Sequence, residues 1–182
     1  MLYRDLKTSN ALLDEEGHLR LADFGLAKKA TQSGSFLGSM NYLAPEMLVK
    51  EPIKQHGRAL DWYLLGVFAY ELLHGLPPFY CEERQEAERR VLKEKPAFRE
   101  EISPSCRELI EALLEKDPGK RVVGLGALKG LSWLGAVEWG EVREKKGEVV
   151  RPEVESWKEL RKKEYFGEEE GDKLIDERIE WY

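Results

Sequence analysis

The stretch Tyr3-Arg4-Asp5-Leu6-Lys7-Thr8-Ser9-Asn10, followed eighteen residues past Asp5 by Asp23-Phe24-Gly25, carries the densest chemistry in the chain. A carboxylate, a lysine two positions on, an amide five positions on and a second carboxylate form a set suited to divalent metal and polyphosphate. A hard cation such as Mg²⁺ takes carboxylate and amide oxygens beside phosphate oxygens, and Asp23 and Asn10 offer both kinds. Asp5 can orient an attacking hydroxyl and accept its proton. Lys7 can offset charge on a transferring phosphoryl group. Between the two halves, Ala11-Leu12-Leu13 and the alternating His18-Leu19-Arg20-Leu21-Ala22 flank the turn cluster Asp14-Glu15-Glu16-Gly17. That pattern predicts a β-hairpin, which would set Asp23 across from the Asp5 loop.

Outward from this element the chain turns polar and small over residues 28–39, which predicts an exposed loop. Residues 62–73 are apolar nearly all round, as in a helix buried in the middle of a domain, and Gly75 with Pro77-Pro78 ends it. Residues 83–95 are charged with sparse apolar positions and read as a surface helix. A further helix is expected over 105–114, where Ile110, Leu113 and Leu114 share one face, with Ser103-Pro104 at its start and Asp117-Pro118-Gly119 as its stop. Beyond Trp133 the pattern loosens into charged segments with isolated aromatics, read as an extended acidic tail. The expected architecture is therefore a mainly α-helical unit with a small β element near its start.

The chain has 182 residues, 42% of them hydrophobic and 35% charged, which is apolar enough for a core and too charged for a membrane span. Its net charge of −6 is uneven, because residues 1–134 carry 19 basic against 20 acidic side chains and residues 135–182 carry 10 against 15. No basic footprint for nucleic acid results. Cys81 and Cys106 have neither disulfide-framework nor zinc spacing, and a reducing compartment is expected, cytoplasmic with the nucleus open to it. His18 and His56 read as exposed turn residues rather than metal ligands.

The quoted run resembles the catalytic loop and metal-binding triplet of eukaryotic protein kinases. The resemblance continues in order through Ala44-Pro45-Glu46, Asp61-Trp62-Tyr63-Leu64-Leu65-Gly66 and Arg121 within Leu114-Glu115-Lys116-Asp117-Pro118-Gly119-Lys120-Arg121. Tyr3 in place of the usual His, Ser35-Phe36-Leu37-Gly38-Ser39, and Gly75-Leu76-Pro77-Pro78-Phe79-Tyr80 look like the AGC group. Trp139, Arg151-Pro152 and Tyr165-Phe166 with the acidic residues after them resemble, more loosely, that group's C-terminal extension. The resemblance implies a protein-kinase-like α+β fold: 1–134 as the large lobe and 135–182 as the extension.

It also implies roles. Asp5 would be the proton acceptor and Lys7 the phosphate contact, with Asn10 and Asp23 on Mg²⁺ and Leu12 under the adenine of ATP. Ser35 would be the activation-loop phosphosite, served by an upstream kinase, its phosphate meeting Arg4 and Lys28. Lys7 and Ser39 point to serine/threonine acceptors in protein substrates. Glu71 falls where related kinases bind a basic substrate residue, although Ser9 replaces the acidic partner many relatives carry, which weakens that expectation. Glu46 and Arg121 would form a buried ion pair, and Asp61 would accept N–H groups of the catalytic loop. The small lobe, with its glycine-rich loop, strand lysine and helix glutamate, has no counterpart in these residues and is expected in the full-length protein. The alternative reading is a non-catalytic kinase-lobe module acting in binding or regulation.

Overall fold

The computed structural model describes residues 1–14, 16–27, 40–49 and 57–146. The first elements are a 3₁₀ turn (Thr8–Asn10) and an antiparallel hairpin of β1 (Ala11–Leu13) and β2 (Leu19–Leu21), with Leu12 opposite Arg20. The turn closes on Asp14: its carboxylate accepts the His18 backbone N–H at 2.8 Å and the Arg20 guanidinium at 2.8 Å. These bonds hold Asp14 down to about 2, below the usual carboxylate range. Gly17 supplies the positive φ of the turn, at 85°.

The helical body is α1 (Pro45–Leu48), α2 (Ala59–His74), α3 (Arg84–Lys93), α4 (Pro104–Leu113), α5 (Leu125–Lys129) and α6 (Trp139–Arg143), with 3₁₀ turns at Met40–Tyr42 and Ser132–Leu134. Helix α2 is central. Leu60, Tyr63, Leu64, Val67 and Tyr70 pack with Ala44, Phe79, Val91, Cys106, Ile110 and Leu114, while its other flank meets a smaller cluster of Leu109, Leu113 and Leu128 through Trp62 and Leu65. An all-round apolar sequence is thus accounted for by neighbours on more than one side. Gly66 permits the close crossing with α4: a Cβ there would lie 2.8 Å from the Leu113 Cβ. Gly75, in the left-handed region with φ 82°, ends the helix and donates its N–H to the Glu71 carbonyl.

Most expected elements fall close to their places. Helix α2 begins three residues earlier than the apolar run, and α4 starts where Ser103 caps it by accepting the Cys106 N–H at 3.3 Å. The stretch after Arg121 forms α5. One correction concerns the segment beyond Trp133: expected as an extended tail, it contains α6, docked by the Lys129 ammonium 4.7 Å from the Trp139 ring centre. Residues 147–182 and the expected exposed loop over 28–39 lie outside the described residues, as do His56, Lys28, Ser35 and Ser39. His18 is also corrected: it is mostly covered, with Nδ1 3.5 Å from both the Asp14 and Glu16 carboxylates, because the hairpin turn folds these acids over it. Among the described residues no helix is long and apolar enough to cross a membrane.

Candidate active site

Asp61, in the first turn of α2, fixes the loop that carries the site. Its Oδ2 accepts the Tyr3 backbone N–H at 2.9 Å and its Oδ1 the Arg4 N–H at 2.8 Å. The carboxylate thereby holds Arg4 at φ 68°, a left-handed conformation that a side-chain-bearing residue keeps only when its surroundings enforce it. Arg4 is buried and donates from Nε to the Leu26 carbonyl at 2.7 Å, tying the loop to the segment after Asp23-Phe24-Gly25. Tyr3 adds a second tie, from its hydroxyl to the Ala22 carbonyl, and its ring meets Phe24 edge-on at 5.2 Å between centres. Burial raises the Tyr3 phenol pKa, which keeps it a donor.

On this scaffold Asp5, Lys7 and Asn10 converge. The Asn10 amide donates to Asp5 Oδ2 at 2.8 Å and to the Asp5 carbonyl at 2.9 Å, and Lys7 Nζ lies 3.0 Å from the same Oδ2. Asp5 and Asn10 are buried while Lys7 is partly exposed. The carboxylate is therefore oriented by two donors from one side. Because the Asn10 nitrogen is committed to Asp5, its Oδ1 is turned to the other side as an acceptor. Asp23 is exposed at φ 51°, with Oδ1 accepting the Gly25 N–H at 3.0 Å. A Cβ at Gly25 would come within 3.0 Å of that oxygen, so glycine lets the triplet close on itself. The donors left open, an amide oxygen and a carboxylate oxygen, are hard ligands that fit Mg²⁺.

Leu12 is exposed on β1 and Ser9 is exposed in the loop. Glu71, on α2, is part-buried and meets the loop at Thr8, whose hydroxyl donates to Oε1 at 3.3 Å. Burial raises the Glu71 pKa, and the Thr8 bond opposes that rise. Away from the loop, Arg121 and Glu46 form a buried bidentate pair, Nη1 to Oε1 at 2.6 Å and Nη2 to Oε2 at 2.9 Å. Arg121 also donates to the carbonyls of Glu115 and Ala59. Sequence reasoning missed Thr8 and Tyr42: the Thr8 N–H reaches the Tyr42 hydroxyl at 3.4 Å, a contact across 34 positions with no local signal.

The loop, the hairpin and the Asp23-Phe24-Gly25 triplet are joined in this way on a helical body pinned by a buried Glu–Arg pair. The family model described as "Protein kinase domain" matches residues 1–133, and the chain belongs to the protein kinase family. It is 40% identical over 150 residues to a RAC family serine/threonine-protein kinase homolog of Dictyostelium discoideum, covering 80% of this chain and 33% of that protein. It is likewise 40% identical over 156 residues to human serine/threonine-protein kinase Sgk1, covering 80% of this chain and 35% of that one. Protein kinase 2 of Dictyostelium discoideum is 40% identical over 162 residues, which is 86% of this chain and 33% of its own length. The chain thus spans about a third of the length of these curated relatives. Kinases of this family generally use ATP and Mg²⁺.

Proposed function

We propose that this chain is the large lobe, over 1–134, and the C-terminal extension, over 135–182, of an AGC-group serine/threonine protein kinase. The observation that supports this reading is the Asp5 carboxylate, whose Oδ2 meets both the Asn10 amide and the Lys7 ammonium. Asp5 accepts the proton of a substrate serine or threonine hydroxyl and orients its oxygen toward the γ-phosphorus of ATP. Lys7 holds the phosphoryl oxygens and keeps the carboxylate in place. Asn10 and Asp23 would hold Mg²⁺, which when bound neutralises phosphate charge. Leu12 would lie under the adenine, an apolar contact that suits its exposed position on β1.

Protein substrates reach the same edge. Glu71 receives a basic side chain, and Ser39 is proposed as a lining residue beside the acceptor. Ser35 would be phosphorylated by an upstream kinase and engage Arg4 and Lys28 through charge-assisted hydrogen bonds. The small lobe of the full-length protein would complete the nucleotide site, in the cytoplasm or nucleus. The second reading, a binding module, draws on the exposed apolar side chains Leu12, Leu13, Leu19, Leu21 and Phe24, which offer a surface to another protein element.

The deciding experiment is transfer of radiolabelled phosphate from Mg-ATP to a basic serine peptide by the full-length protein. Wild type should transfer, and Asp5→Asn and Asp23→Ala should each lose transfer while keeping the unfolding midpoint within a few degrees. Wild-type protein that binds peptide and transfers nothing favours the binding module.

A further inference from the structure

The turn of the hairpin gathers metal-ligating side chains away from the phosphate-transfer residues. Asp14, Glu16 and His18 alternate along it, and a ligand atom from each lies within 4.8 Å of those of the other two. The backbone holds the ends of this set together: the Asp14 N–H donates to the His18 carbonyl at 2.9 Å, and Asp14 Oδ1 accepts the His18 N–H at 2.8 Å. His18 Nδ1 is 3.5 Å from Asp14 Oδ1 and 3.5 Å from Glu16 Oε2. Those separations exceed a nitrogen–oxygen hydrogen bond, which runs to about 3.2 Å. Both ring nitrogens are buried, and neither has a hydrogen-bond partner among the described residues. The same separations are the edges of a tetrahedral coordination sphere, because bonds of about 2.0–2.2 Å to imidazole nitrogen and carboxylate oxygen put neighbouring ligand atoms roughly 3.3–3.6 Å apart. A buried nitrogen that faces two carboxylates and bonds neither has the spacing of a ligand, not of an ion pair.

We propose that Asp14, Glu16 and His18 form a site for a divalent transition-metal ion of the Zn²⁺ class, with His18 Nδ1 and one oxygen of each carboxylate as ligands and water in the fourth position. An imidazole beside two carboxylates suits Zn²⁺ better than Mg²⁺ or Ca²⁺, which take oxygen ligands. The remaining polar contacts are compatible with it. The Arg20 guanidinium occupies Asp14 Oδ2 at 2.8 Å and orients the carboxylate, as an outer partner of a metal ligand does, while Oδ1 keeps a lone pair beyond the one that accepts the His18 N–H. With Nδ1 on the metal, the neutral ring carries its proton on Nε2. Entry is through Glu16, whose side chain is 70% exposed and can swing out to admit the ion and close over Nδ1. Two carboxylates against one guanidinium leave a net negative charge that attracts a cation. The turn is the end of the hairpin away from Asn10 and Asp23, so a bound ion braces the strands that lead to Asp23 and touches no phosphate-transfer residue. The site therefore stands whether or not the protein transfers phosphate.

The test is calorimetric titration of the full-length protein with Zn²⁺, with and without excess Mg²⁺. Wild type should bind Zn²⁺ in both conditions. Glu16→Gln, an exposed change that leaves the Asp14–His18 bonds intact, and His18→Gln should each weaken that binding roughly tenfold or more, and Asp23→Ala should bind as wild type does. Saturating Zn²⁺ should raise the unfolding midpoint of wild type and not of Glu16→Gln. Co²⁺ gives a spectroscopic readout: wild type should show the visible absorption of a tetrahedral site, and His18→Gln should lose it. Zn²⁺ affinity unchanged in both Glu16→Gln and His18→Gln would overturn the proposal. Binding that excess Mg²⁺ abolishes would overturn it too, since that is the behaviour of acidic side chains acting without the imidazole.

Discussion

Arg121 divides its donors among the Glu46 carboxylate and the carbonyls of Ala59 and Glu115, and both partners of the ion pair are almost completely buried. A pair like this adds little over an apolar replacement, yet removing one partner strands the other charge. Glu46→Gln should therefore lower unfolding free energy by about 3–5 kcal/mol, read from urea denaturation, and a loss under about 1 kcal/mol would mean that Arg121 finds other acceptors. Tyr63 beside it makes the opposite case. Its ring lies 4.8 Å from the Arg121 guanidinium, but its hydroxyl is buried with no partner among the described residues, and burial pushes its pKa far up. The ring packs and the hydroxyl is an uncompensated polar atom. Tyr63→Phe keeps the first and deletes the second, so thermal unfolding should shift upward, by the equivalent of about 1 kcal/mol. A clear drop in the midpoint would show that the hydroxyl has an acceptor after all.

At the scale of elements, two glycines in helices separate packing from propensity. Alanine is the better helix former by about 1 kcal/mol, and that gain should appear wherever space allows. Gly126 in α5 meets nothing within 4 Å, so Gly126→Ala should stabilise slightly. Gly66 in α2 faces Leu113 Cβ at 2.8 Å and Leu114 at 3.1 Å, both buried, so overpacking by about 1–3 kcal/mol outweighs propensity and Gly66→Ala should lower the midpoint. The same contrast explains what could be read beforehand. The hairpin and α2 were legible because their signals are local: a turn cluster between alternating residues, and an apolar run stopped by glycine and prolines. The convergence of Asp5, Lys7 and Asn10 was legible because they share one short loop. Helices α5 and α6 were not, since five-residue helices have too few hydrogen bonds to be set by propensity and depend on docking, as Leu128 and the Lys129–Trp139 contact show. The Thr8–Glu71 and Thr8–Tyr42 contacts were illegible for the same reason: they join residues far apart in sequence.

For the whole molecule, the change in stability between about pH 8 and 9 is expected to follow Lys116. Its ammonium has no hydrogen-bond partner among the described residues, lies 3.6 Å from the Phe79 ring centre and is only partly shielded by that cation–π contact. Burial, with Arg121 nearby, lowers its pKa to about 8, below the ordinary 10.5. Between these values the unfolded chain binds a proton that the folded chain has released, so folding stability rises with pH across that window. Cys106, Tyr70 and Tyr63 act in the other direction. Burial raises all three above their ordinary values of 9.0, 10.0 and 10.0, so the unfolded chain loses protons first and stability falls once pH passes about 9. The window from about 8 to 9 therefore belongs chiefly to Lys116. Urea midpoints measured across it should climb in wild type and stay flat in Lys116→Met, which keeps the stem over Phe79 and removes the charge. Parallel slopes in the two proteins would assign the alkaline response to other groups.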